Sequence, residues 1–201
     1  MGRGCLAGPM VVGAVILNPE HLRDFAKARI NDVSYLEING FNFRYAQIND
    51  SKKLSSNKRK LLSDFILKNA VSYAIKVVKP RTIDSKGLSK CTQIGFEGAI
   101  NKLKIRPDHI LTDAFAIKSL PKEVQTNIKH GDMLSISIAA ASIIAKVYRD
   151  KLMVKLHNNN EKYRVYDFDR HKGYGTKYHL EALEKHGSCD IHRVSFKPVG
   201  R

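Results

Sequence analysis

Hydrophobic positions change their spacing several times along the chain, and each change marks a new element. Met10 to Leu17 (MVVGAVIL) is a short apolar run rich in β-branched residues, the pattern of a buried strand. From Pro19 to Asn49 the pattern is irregular. Asn39-Gly40 marks a turn there, and Phe41, Phe43 and Tyr45 alternate with polar residues as in a hairpin. Between Asn57 and Asn69, Leu61, Leu62, Phe65 and Ile66 share one helical face, with basic residues opposite. Val71 to Val78 alternates as a strand, and Pro80 stops it. Leu88 to Leu103 fits a helix entered after Gly87. His109 to Ala114 (HILTDA) reads as a short buried strand ending at an aspartate. Ser135 to His157 is a long helix whose first half is crowded with Ala and Ser, small enough to lie close against a sheet or another helix. Lys177 to His186 is a last helix, closed by Gly187 just past its end. Strands fall mostly early and helices late, an order that predicts an α/β sheet followed by a helical C-terminal subdomain.

Composition narrows the class. About 43% of residues are hydrophobic, enough for a proper core and too many for a disordered chain. Lys and Arg number 35 against 19 Asp and Glu, a formal net charge of +16, which points toward a polyanionic partner such as nucleic acid. The cysteines, Cys5, Cys91 and Cys189, are odd in number and widely spaced. They form neither a disulfide framework nor a zinc motif, and a reducing cytoplasm is the expected compartment. No apolar run reaches membrane-spanning length.

Candidate chemistry lies in a few short segments. Gly2-Arg3-Gly4 combines glycines, which let a backbone approach a sugar-phosphate, with an arginine that can pair a phosphate through two hydrogen bonds. A flexible terminus is the simpler reading of those residues alone. Asp50-Ser51-Lys52-Lys53-Leu54-Ser55 stands at the entrance of the basic helix, either as a phosphate-contacting turn or as a helix cap with solvated lysines. Asp113 ends a strand and Asp132 precedes the Ala-rich helix. Each can serve as a cap or turn residue, or the two can share hard divalent cations, which take oxygen ligands. His171-Lys172-Gly173-Tyr174-Gly175-Thr176 sets an aromatic between glycines in a basic stretch, suited to stacking on a base or sugar or to filling a seam between subdomains.

Taken in this order, the segments closely resemble type 2 ribonucleases H. That family opens with Asp-Glu-x-Gly-Arg-Gly and runs through Leu-Ala-Gly-Pro into an apolar strand, and Gly2 to Pro9 match its second half. Asp50 to Ser55 match its Asp-Ser-Lys-Lys-Leu-Ser. Ala140 to Asp150 are close to its most recognisable helix, and His171 to Thr176, His179, Gly187 and His192 to Val199 fit its C-terminal signature. The resemblance implies a ribonuclease H-like mixed sheet flanked by helices over residues 1–150 and a helical C-terminal subdomain over 151–201. It also implies a metal-dependent endonuclease that hydrolyses the RNA strand of RNA–DNA hybrids and cuts 5′ to ribonucleotides embedded in duplex DNA. Asp113 and Asp132 stand where the family has its third and fourth acidic ligands for Mn²⁺ or Mg²⁺. Gly2, Arg3 and Gly4 match the loop that reads the ribose 2′-hydroxyl, and Tyr174 matches the tyrosine at the RNA–DNA junction. Ser51, Lys52, Lys53 and Lys172 are the further substrate contacts expected.

The departures are specific. The family has Asp-Gly where this chain has Asp113-Ala114, and His130 stands where it has lysine. Met1 occupies the x of Asp-Glu-x-Gly-Arg-Gly, so the expectation is that the first central strand and its Asp-Glu pair lie upstream of this chain, through a misplaced start or a clipped end. The chain as it stands is then expected to cut weakly or not at all, with a catalytically silent duplex-binding protein as the alternative. A monomer is expected.

Overall fold

The computed structural model describes residues 1–20, 44, 45 and 47–200. Most of the irregular stretch, with the Asn39-Gly40 turn and Phe41 and Phe43, lies outside the described residues. The elements in order are β1 (Met10–Ile16), α1 (Ser56–Asn69), β2 (Ser72–Val78), α2 (Pro80–Ile100), β3 (Ile110–Asp113), β4 (Gln125–Ile128), α3 (Gly131–Leu134), α4 (Ile136–Asn159), α5 (Glu161–Arg164), α6 (Phe168–His171) and α7 (Lys177–His186). β1 pairs with β2, and β3 pairs with β4 in parallel, from Ile110 opposite Gln125 to Asp113 opposite Ile128. The result is a mixed α/β fold.

Residues gather into two compact units, each drawn from separate stretches. The first comprises Met1–Val12, Lys76–Gly98 and Ala145–Arg201; the second comprises Gly13–Ile75 and Ala99–Ile144. In the second unit, α1 begins at Ser55, whose hydroxyl accepts the Lys58 N–H at 3.3 Å and so satisfies one of the free amides of the first turn. Leu62, Phe65 and Ile66 of this helix pack against Leu17, Tyr45 and the small-residue half of α4, where Ala139 and Ala140 let Ile143 and Ile144 be fully covered. Leu61, expected on the same face, is instead 69% exposed, because the buried stripe runs along its far side. Gln125 braces the connection between β3 and β4. It accepts the Ile117 N–H and donates to the carbonyls of Ile117 and Leu120.

The first unit holds two core clusters. Tyr163, Tyr166 and Phe168 pack with Ala7, Met153 and Ala182, the Tyr166 and Phe168 rings stacked with centroids 5.2 Å apart. Met10, Val78, Ile83 and Cys91 form the other. Pro80 both ends the strand and opens α2, because a missing N–H costs nothing in a helix's first turn. The helix breaks at Gly87 (φ 75°, ψ 159°) and resumes at Leu88, where the sequence placed its start. α7 spans the predicted Lys177–His186, started by Thr176 and ended by Gly187 at φ 72°. No helix among the described residues is long and apolar enough to cross a membrane.

Candidate active site and nucleic-acid loop

The second unit assembles the carboxylates. Asp113 leaves the end of β3, where the pairing of β3 with β4 fixes it, and its Oδ1 accepts the Gly131 N–H at 3.0 Å. That bond ties the strand end to α3, on which Asp132 is the next residue. A Cβ on Gly131 would come within 2.5 Å of Ile138 and 3.5 Å of the Asp113 Cα, so a bare backbone is what lets α3 lie this close. Between them, Ala114 takes a left-handed backbone (φ 65°), and the Phe115 N–H bonds to the Asp113 carbonyl at 2.8 Å. The turn therefore keeps a glycine-like conformation although its residue is alanine.

Asp132 is buried and its pKa is raised. Burial is the main cause; the carboxylates of Asp50 and Asp113 add to it, as does a hydrogen bond with Asp50, and Lys52 opposes them. The Lys52 ammonium stands 4.0 Å from Asp132 Oδ2 on a side chain that is otherwise 72% exposed. Asp50 is fixed by its own turn: its Oδ1 accepts the Lys52 N–H at 2.9 Å and its carbonyl accepts the Lys53 N–H at 3.0 Å. Sequence reasoning took Ser51, Lys52 and Lys53 from this segment and passed over Asp50; the available signal was an Asp two residues before an amide it can accept. Ser51 is buried with its hydroxyl 2.9 Å from that of Ser142, while Lys53 is exposed.

Oxygen-only donors with surplus negative charge suit a hard divalent cation. Asp113 and Asp132 would supply part of its shell. Among the described residues, however, no group of three or more His, Cys, Asp or Glu side chains is placed to hold a metal ion.

The first unit brings the Gly2-Arg3-Gly4 loop and Tyr174 together. Two fully buried arginines hold the Gly2–Pro9 segment by its carbonyls, and Arg193 alone of the two bonds to the loop itself. Arg193 donates to Arg3 and Gly2 at 2.7 Å each and to Gly8 at 2.9 and 3.0 Å. Arg149 donates to Pro9 at 2.9 Å, Ala7 at 3.1 Å and Lys172 at 2.9 Å. Burial pushes the Arg193 pKa down to about 10, which still leaves it charged at neutral pH. Gly2 is at φ 75°, and a Cβ there would lie 2.1 Å from Arg149 Nε. Neither arginine is expected to be buried from the sequence: Arg149 on α4 and Arg193 in the loop after α7 both read as solvated cations.

Tyr174 is 39% exposed, with Lys146 Nζ 5.6 Å and Arg149 Cζ 5.7 Å from its ring centroid. Burial, with Cys5 beside it adding to the effect, raises the Tyr174 pKa. The preceding Gly173 (φ 83°) accepts the Leu6 and Ala7 N–H groups on its carbonyl at 2.9 and 3.2 Å, which docks the tyrosine loop on the Gly2–Pro9 segment. Lys172 directs its ammonium to the carbonyls of Asp169 and Arg170 within its own turn.

A family model described as Ribonuclease HII matches residues 1–199. The Ribonuclease HII of Acholeplasma laidlawii is 46% identical over 200 residues, covering 100% of this chain and 85% of the relative. That of Clostridium perfringens is 44% identical over 196 residues, 98% of this chain but 64% of the relative. Among solved structures, the ribonuclease H2 from Pyrococcus horikoshii OT3 superposes with a TM-score of 0.72 at 20% identity, covering 100% of this chain and 92% of that one. Bst-RNase HIII in complex with Mn²⁺ superposes at 0.59 with 17% identity, covering 92% and 67%. At such identities the structures attest the fold alone. The sequence matches go further: with the family model spanning almost every residue, the chain belongs to the ribonuclease HII family.

Proposed function

We propose that this chain is an endonuclease that hydrolyses the RNA strand of RNA–DNA hybrids and cuts 5′ to ribonucleotides embedded in duplex DNA, leaving 3′-hydroxyl and 5′-phosphate ends. The observation that carries this reading is the crowding of Asp113 and Asp50 around buried Asp132, with Lys52 facing it as a cation. Like charges are not gathered in a buried place for stability, and perturbed carboxylates mark functional sites. Asp113 and Asp132 would hold Mn²⁺ or Mg²⁺, which in pairs activate water and neutralise the leaving oxygen of a phosphodiester. The Lys52 and Lys53 side chains lie on the same turn as Asp50 and supply phosphate contacts. In the first unit, the Gly2–Gly4 loop offers backbone to a 2′-hydroxyl, and the exposed face of Tyr174 offers a surface for the sugar or base at the junction.

The experiment is cleavage of a duplex carrying one ribonucleotide, in Mn²⁺ and in Mg²⁺, with the ends identified. Cutting that Asp113→Asn and Asp132→Asn each abolish, with duplex affinity retained, supports the reading. A second reading, a catalytically silent duplex-binding protein, is favoured by the lack of a three-ligand group among the described residues. It is supported instead if the 201-residue chain, and the same chain extended at its N-terminus by an Asp-Glu segment, both bind duplex and neither cuts.

A further inference from the structure

Three side chains near the tyrosine loop, His179, His192 and Cys189, form a continuous, largely buried hydrogen-bonded run that neither the carboxylates nor the basic surface explains. The His179 Nδ1 lies 2.9 Å from the Tyr174 carbonyl. The His179 Nε2 lies 3.0 Å from His192 Nε2. The His192 Nδ1 accepts the Cys189 backbone N–H at 2.9 Å and also lies 3.0 Å from the Cys189 thiol. Alongside, His171 stacks on His179 with centroids 4.5 Å apart, donates from Nε2 to the Tyr166 carbonyl, and accepts the Gly173 N–H on Nδ1 at 3.1 Å.

We propose that His179 is a positioning residue for Tyr174, ending a Cys189–His192–His179 hydrogen-bond relay on the tyrosine's own carbonyl. The inference rests on the reading of Tyr174 as the residue that meets the RNA–DNA junction. Every proton in the relay follows from its neighbours. A carbonyl accepts only, so the His179 proton is on Nδ1 and its Nε2 is bare. An amide N–H donates only, so His192 Nδ1 is bare and its proton is on Nε2. The His192 Nε2–H therefore donates to the His179 Nε2, and both rings are neutral. No acceptor is left for a second proton on either ring. His179 is fully buried and His192 nearly so. Burial, as the largest cause, lowers both to about 4.

A neutral donor suits this place. The loop lies beside two buried cations, Arg149 and Arg193, so a further buried charge would be unfavourable, and the Tyr174 carbonyl has a second lone pair for a donor besides the Thr176 N–H it already accepts at 2.8 Å. The relay also differs from ordinary packing in what it grips. His171 holds the Gly173 N–H on its ring and the Tyr174 N–H on its carbonyl (3.0 Å), and His179 holds the Tyr174 C=O. The peptide groups on both sides of the Tyr174 Cα are thus fixed, and with them the direction of the ring.

The test uses two substitutions that split the ring's two nitrogens. In His179→Asn the side-chain amide can stand where Nδ1–H stood, keeping the donor to Tyr174 and losing His192. In His179→Gln it reaches toward the Nε2 position, keeping His192 and losing Tyr174. The readout is the ratio of affinities of the 201-residue chain for a duplex with one embedded ribonucleotide and for the all-DNA duplex of the same sequence, measured without divalent metal. Discrimination should fall about tenfold in the Gln variant, the size of one buried hydrogen bond, and stay within about twofold of wild type in the Asn variant. Both variants should melt below wild type. Long-range ¹H–¹⁵N spectra of the wild-type imidazoles should show His179 protonated at Nδ1 and His192 at Nε2. Opposite tautomers, or equal loss of discrimination in both variants, would overturn the positioning role. If Tyr174→Ala keeps full discrimination, the junction reading of Tyr174 falls and the relay's role with it. If Tyr174→Ala loses discrimination while both His179 variants keep it, only the relay's role falls.

Discussion

Ala114 shows how one residue records the demands of the carboxylate site. A left-handed backbone costs an L-residue with a Cβ roughly 1–2 kcal/mol, which glycine avoids. The chain keeps that conformation at φ 65° because the turn delivers Asp113 to the Gly131 N–H. Ala114→Gly should therefore raise stability by about 1 kcal/mol, seen as a higher melting temperature; a lower one would mean that the alanine side chain makes contacts worth more than the strain it carries. Glycines in the first unit offer a paired comparison. Gly187 (φ 72°, ψ −168°) has open space where a Cβ would go, so Gly187→Ala should cost only the backbone strain of a region that glycine alone ordinarily adopts, about 1–3 kcal/mol. Gly173 (φ 83°) has the Ala7 carbonyl oxygen 2.3 Å from that point, a backbone atom that cannot swing aside. Gly173→Ala should cost clearly more than Gly187→Ala in denaturant titration, and equal costs would show that the tyrosine loop is not docked on Ala7.

At the scale of elements, α7 and the loops at its ends should make stability sensitive to acid. His179 and His192 have folded-state pKa values lowered to about 4, mainly by burial, with His171 adding to the effect on both and Asp190 opposing it at His192. An unfolded histidine titrates near 6.5. Above that pH both states are neutral there and nothing is lost. As pH falls from about 6.5 toward 4 the unfolded chain binds protons that the folded one refuses, so stability drops across that window and levels off below it. Chemical denaturation from pH 7.5 to 4 should show the fall, and His192→Asn should flatten it; an unchanged slope in that variant would place the titrating groups elsewhere. The element itself was legible: Thr176 before it and Gly187 after it are end signals, and the predicted bounds match the observed ones. β3 was legible in place, as a short apolar run ending at an aspartate, but not in burial: of its four residues only Thr112 is buried, and Leu111 faces solvent. The helical stretch opening at Pro80 was missed because a proline that ends a strand and one that starts a helix look alike in one dimension. Arg149 and Arg193 were missed for a deeper reason. Their partners are carbonyls at Ala7, Gly8 and Pro9, far along the chain, and no local pattern tells a buried cation from a solvated one.

For the whole molecule, the net charge of +16 overstates what a nucleic acid can reach. Arg149 and Arg193 are fully buried with their donors committed to backbone carbonyls, and Lys172 turns its ammonium onto its own helix end. Lys52 is partly engaged by Asp132, whereas Lys53 is exposed and its side chain carries no ion pair among the described residues. Counterion release depends on cations that meet phosphates, not on the formal total. Affinity for duplex should fall linearly on a log–log plot against salt, with a slope of about −0.9 for each phosphate neutralised, and the number read from that slope should be well below the formal charge. Lys53→Ala should make the slope shallower by about 0.9 if its ammonium neutralises one phosphate. Arg193→Lys should leave the slope of the folded fraction unchanged, because a buried cation releases no counterion on binding. A slope that ignores Lys53 but responds to Arg193 would show that the buried arginines become exposed when duplex is bound. An affinity independent of salt would remove the basic surface from the binding argument altogether, leaving recognition to the Gly2–Gly4 loop and the face of Tyr174.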